Sequence, residues 1–526
     1  MKKISTIVFL LISVFTIAQI QKTDKASVYW GEDLKFKRGE EITNFIGVYE
    51  GKYYMLKRDL RKGTDVVLRF SKDMQLEKEA IIDLRTKDRR RMLLESVSLL
   101  KGKVVILASY VDKKAKKNKL LVKTLNPKTL QGNKWEVVEE FAFEKNRRSG
   151  MFGLVLSQDE SKLLVYSSKP YEKKGFEKFG FTVFDADMKQ LWKKDIQLPY
   201  SDAFFEIHNY EVSNQGDAYI IGREYKESRK ERERGKPNYT THVLGYTSQG
   251  NEERDYDLNL GDKFITDVTI RAEDNGNLIC AGLYSDKSSR SIKGTFFMKI
   301  NAQTKKVESS SMKAFPEEFI MQGWSDRSVK KAKKAKEKKN KAIEMYEYDL
   351  RDLVLREDGG AVLLAEQYYV NVTTTTVSDG NGGTRTVTTY HYHYNDVIVV
   401  NISPKGEIDW LTKVEKNQYS VNDNGFYSSY ALHVNEDKLH LVYNETARKY
   451  YTKEEFKQLS KEEKKAYFTI LSTVNSDGKV EKEILLNAKK ENTYPVPKLS
   501  KQINEKELFF YTKKRKMRKL AIVEFK

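Results

Sequence analysis

Residues 152–196 contain the pattern that decides the fold: FGLVLSQDESKLLVYSSKPYEKKGFEKFGFTVFDADMKQLWKKDI. Two apolar runs of strand length, Phe152–Leu156 and Leu163–Ser167, flank a polar turn at Asp159-Glu160. A second pair of such runs follows around the turn Asp185-Ala-Asp187. Short apolar runs bounded by polar turns predict β-strands. This stretch therefore predicts two successive hairpins, which together supply four antiparallel strands.

The same four-strand unit recurs about every 50 to 60 residues along the chain. The turns of the first hairpins fall at Glu50-Gly51, Lys101-Gly102, Asp159-Glu160, Gln215-Gly216, Asn275-Gly276, Asp358-Gly359, Asn435 to Asp437 and Asn504-Glu505. Four strands per unit, repeated around a ring, are typical of a β-propeller. We therefore predict an all-β fold, a β-propeller of eight four-stranded blades. Seven blades remain an alternative, and two stacked sandwiches are a competing fold that does not explain the period.

The two ends of the chain complement each other. The eighth unit supplies strands at Lys506–Tyr511 and Arg518–Phe525, and then the sequence ends. At the other end, Ser27–Lys37 looks like a strand without a hairpin partner. We predict that this N-terminal strand completes the last blade, because that pairing removes a free sheet edge. Residues 19–526 would then form a single propeller domain.

The first residues are typical of a secretory signal. Lys2 and Lys3 precede an apolar run, Ile7–Ile17, and Thr16 and Ala18 are small residues suited to cleavage. We predict a signal peptide over residues 1–18 and an exported protein, located in the periplasm or associated with the outer membrane. A retained membrane anchor is the alternative, although the run is short for a membrane-spanning helix.

Charge and cysteine content narrow the function classes. The formal net charge of the 526-residue chain is +20, and removal of Lys2 and Lys3 leaves +18. For an exported protein this charge favours an envelope protein or an anionic envelope polymer as the partner, and not nucleic acid. A solvated, lysine-rich surface is the alternative. Cys280 is the one cysteine, so no internal disulfide is possible, and we predict that it is buried filler.

The first of three insertions spans residues 315–347 and has a lysine-rich core. Residues 328–343 contain good helix formers and almost no β-branched residues, which predicts a cationic helix. Its candidate contact residues are Lys330, Lys331, Lys333, Lys334, Lys338 and Lys341. They would contact an anionic surface or an acidic partner, and a merely solvated helix is the alternative.

The second insertion spans residues 371–394 and reads as a long projecting hairpin around a Gly-rich turn. His391 and His393 alternate onto one face of a strand, and Tyr390 and Tyr392 lie on the other. These four residues are candidate contacts for a partner, and the alternative is that the tyrosines, with Tyr394 on the same face, simply pack. Two such histidines can help to bind a metal, but no Cys, Asp or Glu cluster lies nearby, so we predict no metal site.

The third insertion, residues 452–466, begins with a helix signal. Thr452 and Glu455 have the spacing of a capping box, which predicts a short helical hairpin. All three insertions belong to repeats five to seven. If they rise from one face of the propeller, that face is the working surface.

Motifs of enzyme chemistry are missing from the sequence. It contains no GxSxG, P-loop, HExxH or EF-hand pattern. We therefore predict no catalytic or cofactor-binding residues, and an interaction platform as the function. The alternative is a glycan-binding or glycan-processing propeller, with a ligand in a central channel that Asp267 and Asp352 could line. A purely structural role is a third hypothesis.

Three segments support a resemblance. They are Ala18-Gln19, the strand Ala365-Glu-Gln-Tyr-Tyr369 and the stretch Asn395 to Trp410, NDVIVVNISPKGEIDW. In these segments the chain resembles a group of uncharacterised exported proteins of Bacteroidetes bacteria, mainly over the sixth and seventh repeats. The resemblance implies an envelope location and no known activity.

Overall fold

The computed structural model describes residues 20–526 except 145–148, 170–174, 259, 302, 305, 340–341, 379–382 and 436–437. The predicted signal peptide and the candidate residue Lys341 lie outside these ranges. Within them, eight antiparallel sheets have at least four strands each. The prediction of an all-β propeller built from four-stranded sheets is confirmed. We call these sheets blades 1 to 8.

The strands of blades 1 to 4 follow one another along the chain in the order in which they pair. Blade 1 contains Glu40–Tyr49, Lys52–Asp59, Thr64–Phe70 and Leu76–Ile82. Blade 2 contains Leu93–Leu100, Lys103–Asp112, Lys117–Leu125 and Glu136–Ala142. Blade 3 contains Met151–Leu156, Lys162–Ser168, Phe176–Asp185 and Gln190–Ser201. Blade 4 contains Phe205–Val212, Ala218–Tyr225, Tyr239–Thr247 and Glu252–Asp257.

Blades 5 to 7 continue this order, and blade 8 combines both ends of the chain. Blade 5 contains Phe264–Ala272, Leu278–Ser285, Gly294–Ile300 and Val307–Ala314. Blade 6 contains Tyr348–Leu355, Ala361–Ser378, Thr384–Ile402 and Ile408–Val414, with Gln418–Val421 as a fifth strand. Blade 7 contains Ala431–Asn435, Lys438–Thr446, Tyr467–Val474 and Val480–Asn487. Blade 8 contains Tyr494–Pro495, Lys501–Gln502, Glu507–Lys514, Met517–Phe525, Ala26–Lys35 and Ile20–Lys22.

The remaining elements lie in connections between strands. The helices are α1 (Glu317–Met321), α2 (Asp326–Lys339), α3 (Ala447–Tyr450) and α4 (Lys453–Gln458), with short 3₁₀ turns at Glu463–Lys465 and Pro497–Leu499. Two short strand pairs are Arg232–Glu233 with Lys236–Pro237 and Ser291–Ile292 with Met345–Tyr346. Helix α4 starts at the predicted capping box, because Thr452 and Glu455 each accept from the other's backbone N–H.

The core of the molecule lies between the blades. Eight of the buried apolar clusters each join two neighbouring blades, from blades 1 and 2 around to blades 8 and 1. Both faces of the inner strands are buried in this way, so these strands are apolar runs and not alternating ones. The first strands of successive blades from 1 to 6 also contact one another, which places them around the central channel.

The strand Ala26–Lys35 pairs with the C-terminal strand. Ala26 lies opposite Phe525 and Val28 lies opposite Val523. Val28 is fully buried in the cluster between blades 7 and 8. The N-terminal strand is therefore part of the same sheet as the C-terminal strand, and an eight-bladed ring stays a prediction.

Two tryptophans show how neighbouring blades fit together. Trp192 of blade 3 lies under Gly250 of blade 4, and Trp410 of blade 6 lies under Gly478 of blade 7. Both glycines have positive φ, 78° and 80°, and a Cβ at either would come within 3 Å of the indole. Glycine is therefore required at these turns both for its backbone conformation and for the close approach.

Cys280 lies in the second strand of blade 5 and is fully buried. Burial raises the pKa of its thiol to about 12. The prediction that it is a packing residue is confirmed.

Candidate binding surfaces

The strand connections place all three insertions on one face of the ring. Successive strands of a blade are antiparallel, so the second-to-third connection leaves from the same face as the link to the next blade. Helices α1 and α2 lie in the link from blade 5 to blade 6, and α3 and α4 lie between the second and third strands of blade 7. The projecting hairpin joins the second and third strands of blade 6. We call this side the insertion face.

Helix α2 presents its lysines to solvent. Lys330, Lys331, Lys333, Lys334 and Lys338 are all exposed. Ala332 packs against the core between blades 5 and 6, so the helix is attached by small residues. The described candidate lysines are therefore together on one exposed element, as the sequence predicted.

Helix α1 fixes the start of the same insertion. The buried Lys413 of blade 6 donates from Nζ to the carbonyl oxygens of Gln322 and Phe319, at 3.0 and 3.3 Å, at the C-terminal end of α1. A cation at this helix end also complements the helix dipole. Phe315 and Ile320 are buried in the adjacent core. The insertion is thus a packed part of the blade and not a loose arm.

The projecting hairpin is formed by the outer parts of Ala361–Ser378 and Thr384–Ile402. A third strand, Gln418–Val421, pairs with residues 391–394. Sequence analysis missed this strand, because a four-residue polar segment carries almost no periodic signal.

His391 and His393 lie on one face of the hairpin, as predicted. The Nδ1 atom of His391 is 2.7 Å from Tyr419 Oη, and its Nε2 atom is 3.0 Å from Thr373 Oγ1. The ring of His393 stacks on Tyr369, with 4.5 Å between centroids. Burial lowers the pKa of His393, and the neighbouring His391 lowers it further. Within the described residues, no group of three His, Cys, Asp or Glu side chains is placed to hold a metal ion.

The tyrosines of the opposite face have different roles. Tyr390 is exposed, whereas the hydroxyl of Tyr392 donates to Asn424 Oδ1 at 2.6 Å. Tyr394 is buried, and its hydroxyl accepts from Lys498 Nζ at 2.8 Å. Of these three, Tyr390 is the residue most open to a partner.

A buried ion pair joins blade 6 to the connection that leads to blade 7. Lys416 Nζ lies 2.6 Å from Glu366 Oε1, and neither side chain is exposed to solvent. Glu366 also accepts from Ser429 Oγ at 2.7 Å and from Arg351 Nε at 3.2 Å. Burial lowers the pKa of Lys416, and the Glu366 carboxylate opposes this shift. The pair ties the link between blades 6 and 7 to the inner strand of blade 6.

A cavity of about 840 Å³ lies in the channel, between the first strands of blades 3 to 6. Its titratable lining residues are His208, Arg223, Arg271, Arg351, Glu211 and Asp267. Of the two carboxylates named as candidates for a channel lining, Asp267 lines this cavity and Asp352 is not among its lining residues. Asp352 accepts a hydrogen bond of 2.7 Å from Tyr430.

The arginines of this cavity are fixed by contacts with neighbouring strands. Arg271 Nη1 donates to Glu211 Oε2 at 2.8 Å. Arg223 Nη2 donates to the Ile265 carbonyl at 2.6 Å, and its buried Nε has no hydrogen-bond partner among the described residues. Burial raises the pKa of Glu211 to about 7, although Arg271 lowers it. The cavity can therefore offer several N–H donors and a carboxyl group that titrates near neutral pH.

Blade 8 has an irregular inner edge that enters the channel. Lys498 donates to Asn424 O at 3.1 Å, and Lys501 Nζ lies 3.4 Å from Glu160 in the first turn of blade 3. Blades 8 and 3 are not neighbours, so this second contact crosses the channel. The segment narrows the channel on the face opposite to the insertions.

A pair of carboxyl groups lies near the insertion-face end of blade 3. Burial raises the pKa of Glu177, and a hydrogen bond to Asp202 raises it further. The two groups thus share a proton more readily than isolated carboxylates do. Sequence analysis missed this pair and the channel arginines, because their members are far apart in sequence and no spacing motif links them.

Neither a protein-family model nor a curated protein matches the chain. Among solved structures, it is similar to the β-propeller domain of the Trilobed protease from Pyrococcus furiosus, with 10% identity over 75% of this chain and 100% of that chain and a TM-score of 0.32. A protein of unknown function from Bacteroides caccae has 11% identity over 66% and 90% of the two chains and a TM-score of 0.26. The polysaccharide lyase Uly1 has 8% identity over 94% and 99% and a TM-score of 0.36. These likenesses carry no argument about activity or ligand. None of the described helices is long and apolar enough to cross a membrane.

Proposed function

We propose that this propeller is an exported interaction platform, in the periplasm or associated with the outer membrane. Its insertion face would contact an envelope protein or an anionic envelope polymer. One observation carries the proposal: the strand connections bring three separate insertions to one face, and one of them is the lysine-rich helix α2. Insertions that serve only as loops would be expected on both faces.

The expected contact is electrostatic. The exposed lysines of α2 concentrate positive charge on one element. Attraction between exposed charges falls off beyond a Debye length of about 10 Å at 0.1 M salt. Binding through α2 should therefore weaken as salt is added, and it should depend on where the charge lies and not only on the net charge of the chain.

The test compares two charge-reversal variants of the mature protein. The first replaces four lysines of α2 by Glu: Lys330, Lys331, Lys333 and Lys334. The control replaces four exposed lysines in turns of the opposite face by Glu: Lys72, Lys405, Lys479 and Lys506. Both variants lose eight units of charge, so only the location differs.

Each variant is used to capture partners from envelope extract at about 0.05 M and about 0.5 M salt. We expect wild type and the control to retain the same partner at low salt, and the α2 variant to lose it. Capture of the same partner by both variants, at both salt concentrations, would contradict the assignment of the insertion face.

A second candidate function is glycan binding or processing in the channel. The polar cavity lined by Arg223, Arg271 and Glu211 favours it, because saccharide hydroxyls need clustered donors and acceptors. Calorimetry with acidic and neutral oligosaccharides tests it, with Arg271→Ala as the channel variant and the outer-strand Arg254→Ala as the control. Binding that Arg271→Ala abolishes and Arg254→Ala leaves intact supports a channel ligand. Absence of binding by wild type removes this candidate.

A further inference from the structure

The projecting hairpin has a free edge. The first strand of blade 6 pairs with the second only as far as Tyr348 opposite Gln367. Beyond that point the second strand continues to Ser378, paired on one side with the third strand. Among the described residues, no strand pairs with its other side from residue 369 onward.

A hydrogen bond of Tyr368 shows which backbone groups face this free edge. The N–H of Tyr368 donates to Glu347 O at 2.8 Å, on the side of the first strand. Residues two apart in a strand point the same way. The N–H and C=O groups of Val370, Val372, Thr374 and Thr376 therefore point outward from the hairpin. Among the described residues, no strand pairs with this side of the hairpin to accept from these four N–H groups.

The other edge of the hairpin gives an independent check. Tyr390 lies opposite Val372, and its carbonyl accepts from Asn422 N–H at 3.0 Å, outside the hairpin. Residues opposite each other in a non-hydrogen-bonded pair both point outward. The backbone N–H and C=O of Val372 must therefore point to the free edge, as the hydrogen bond of Tyr368 also indicates.

This edge lacks the features that protect natural edge strands. Residues 371–378 read NVTTTTVS, without charge and without proline, and residues 371–376 are all exposed. Natural sheets block such edges with lysine, proline or bulges, because unpaired backbone groups recruit another strand. An eight-residue edge of β-formers left open on the insertion face is suited to binding a strand.

We propose that the edge from Val370 to Thr376 binds an extended strand of an acidic partner protein by β-strand addition. Main-chain hydrogen bonds would supply affinity, and alternate side chains of the hairpin would supply selectivity. The acidic character follows from the exposed lysines of α2 on the same face. This inference rests on the proposed platform function and adds the mode of binding.

A pair of proline variants tests the edge. Thr374→Pro removes an N–H that points to the free edge and leaves the bonds inside the hairpin in place. Thr388 lies directly opposite, and its N–H points to the other edge, so Thr388→Pro is a matched control of the same chemistry. The probe is a fluorescent ten-residue peptide of alternating Thr and Val with two Glu at each end, titrated by anisotropy against the mature protein up to about 1 mM.

We expect Thr374→Pro to weaken peptide binding by roughly tenfold or more, since one hydrogen bond and strand contact are lost, and Thr388→Pro to leave it unchanged. Hydrogen exchange of wild type should show peptide-dependent protection at Val370, Val372, Thr374 and Thr376. Equal affinities of the two proline variants, or no peptide binding by wild type, would overturn the proposal.

Two further results separate the possible failures. If the α2 charge variant loses the partner and Thr374→Pro captures it normally, the platform function is supported and β-strand addition is rejected. A wild-type dimer in sedimentation that Thr374→Pro dissociates would identify the occupant as a second copy of this chain, which contradicts the acidic partner.

Discussion

Lowering the pH should destabilise the seam between blades 7 and 8 through two buried histidines. His433 and His440 lie opposite each other in blade 7, and both rings pack on Phe525 of the C-terminal strand. Burial lowers the pKa of His433 to about 4. Burial, with a smaller contribution from His433, lowers the pKa of His440 to about 3. His433 Nδ1 and His440 Nε2 have no hydrogen-bond partner among the described residues, so a proton there would gain no acceptor.

The sign and size of the effect follow from linkage. The unfolded chain binds a proton at each histidine near pH 6.5, whereas the folded protein does so only below about pH 4. The stability that these neutral rings contribute is therefore fully present above pH 6.5 and is lost as the pH falls toward 4. Between pH 7.5 and pH 5 each histidine should reduce the free energy of unfolding by about 2 kcal/mol, as an order of magnitude.

Urea unfolding at pH 7.5, 6 and 5 measures this loss. His440→Phe removes one titrating ring and keeps the stacking on Phe525, so its free energy of unfolding should fall by about 2 kcal/mol less than that of wild type over this range. Phe525→Leu is the control, because it weakens the same packing without changing a titrating group. Buried carboxyls with raised pKa, such as Glu211, contribute with the opposite sign and cancel in the difference. Parallel pH profiles of wild type and His440→Phe would refute the reasoning.

Three further predictions concern single features of the fold. Lys416→Met should lower the free energy of unfolding by about 3 kcal/mol, because it removes the fully buried cation beside Glu366 and leaves only the partly exposed Arg351. Adding Glu366→Leu should restore part of the loss; urea titration measures both variants, and an unchanged free energy of unfolding for Lys416→Met would contradict the prediction. Cys280 should not react with a thiol reagent at pH 8 until the protein unfolds, because its thiol is buried; stoichiometric labelling of native protein would refute this. Thr452→Ala should destabilise α4 locally by about 1 kcal/mol through loss of the capping box, seen as faster hydrogen exchange of Lys453–Gln458 with unchanged exchange in the blades.

The repeat could be predicted from the sequence because the hairpins of a blade form between strands that are close together along the chain. A hairpin such as Phe152–Leu156 with Leu163–Ser167 closes over a short turn, so its strands and its turn lie in one window of sequence. The structure places these strands at Met151–Leu156 and Lys162–Ser168. The pairing of Ala26–Lys35 with the last strand could also be predicted, because the sequence has one N-terminal strand without a partner and one C-terminal unit that lacks a strand.

Candidate binding residues could be predicted from the sequence only where a single helix or strand contains all of them. The lysines of α2 and the alternation of His391 and His393 follow from helix and strand geometry alone. The channel arginines do not, because Arg223, Arg271 and Arg351 come from three different blades. Their meeting depends on how the ring positions those blades, which is a property of tertiary packing and not of local spacing.

A ligand site in the channel and a partner site on the insertion face would affect each other. On the opposite face, Lys501 of blade 8 meets Glu160 of blade 3 across the channel, so access is narrower there. If a ligand enters the 840 Å³ cavity from the insertion face, a macromolecule docked on that face would cover its entrance. Occupancy of the two sites would then be mutually exclusive or strongly coupled. Measuring partner affinity in the presence and absence of a channel ligand would distinguish this arrangement from two independent sites, for which the affinity would not change.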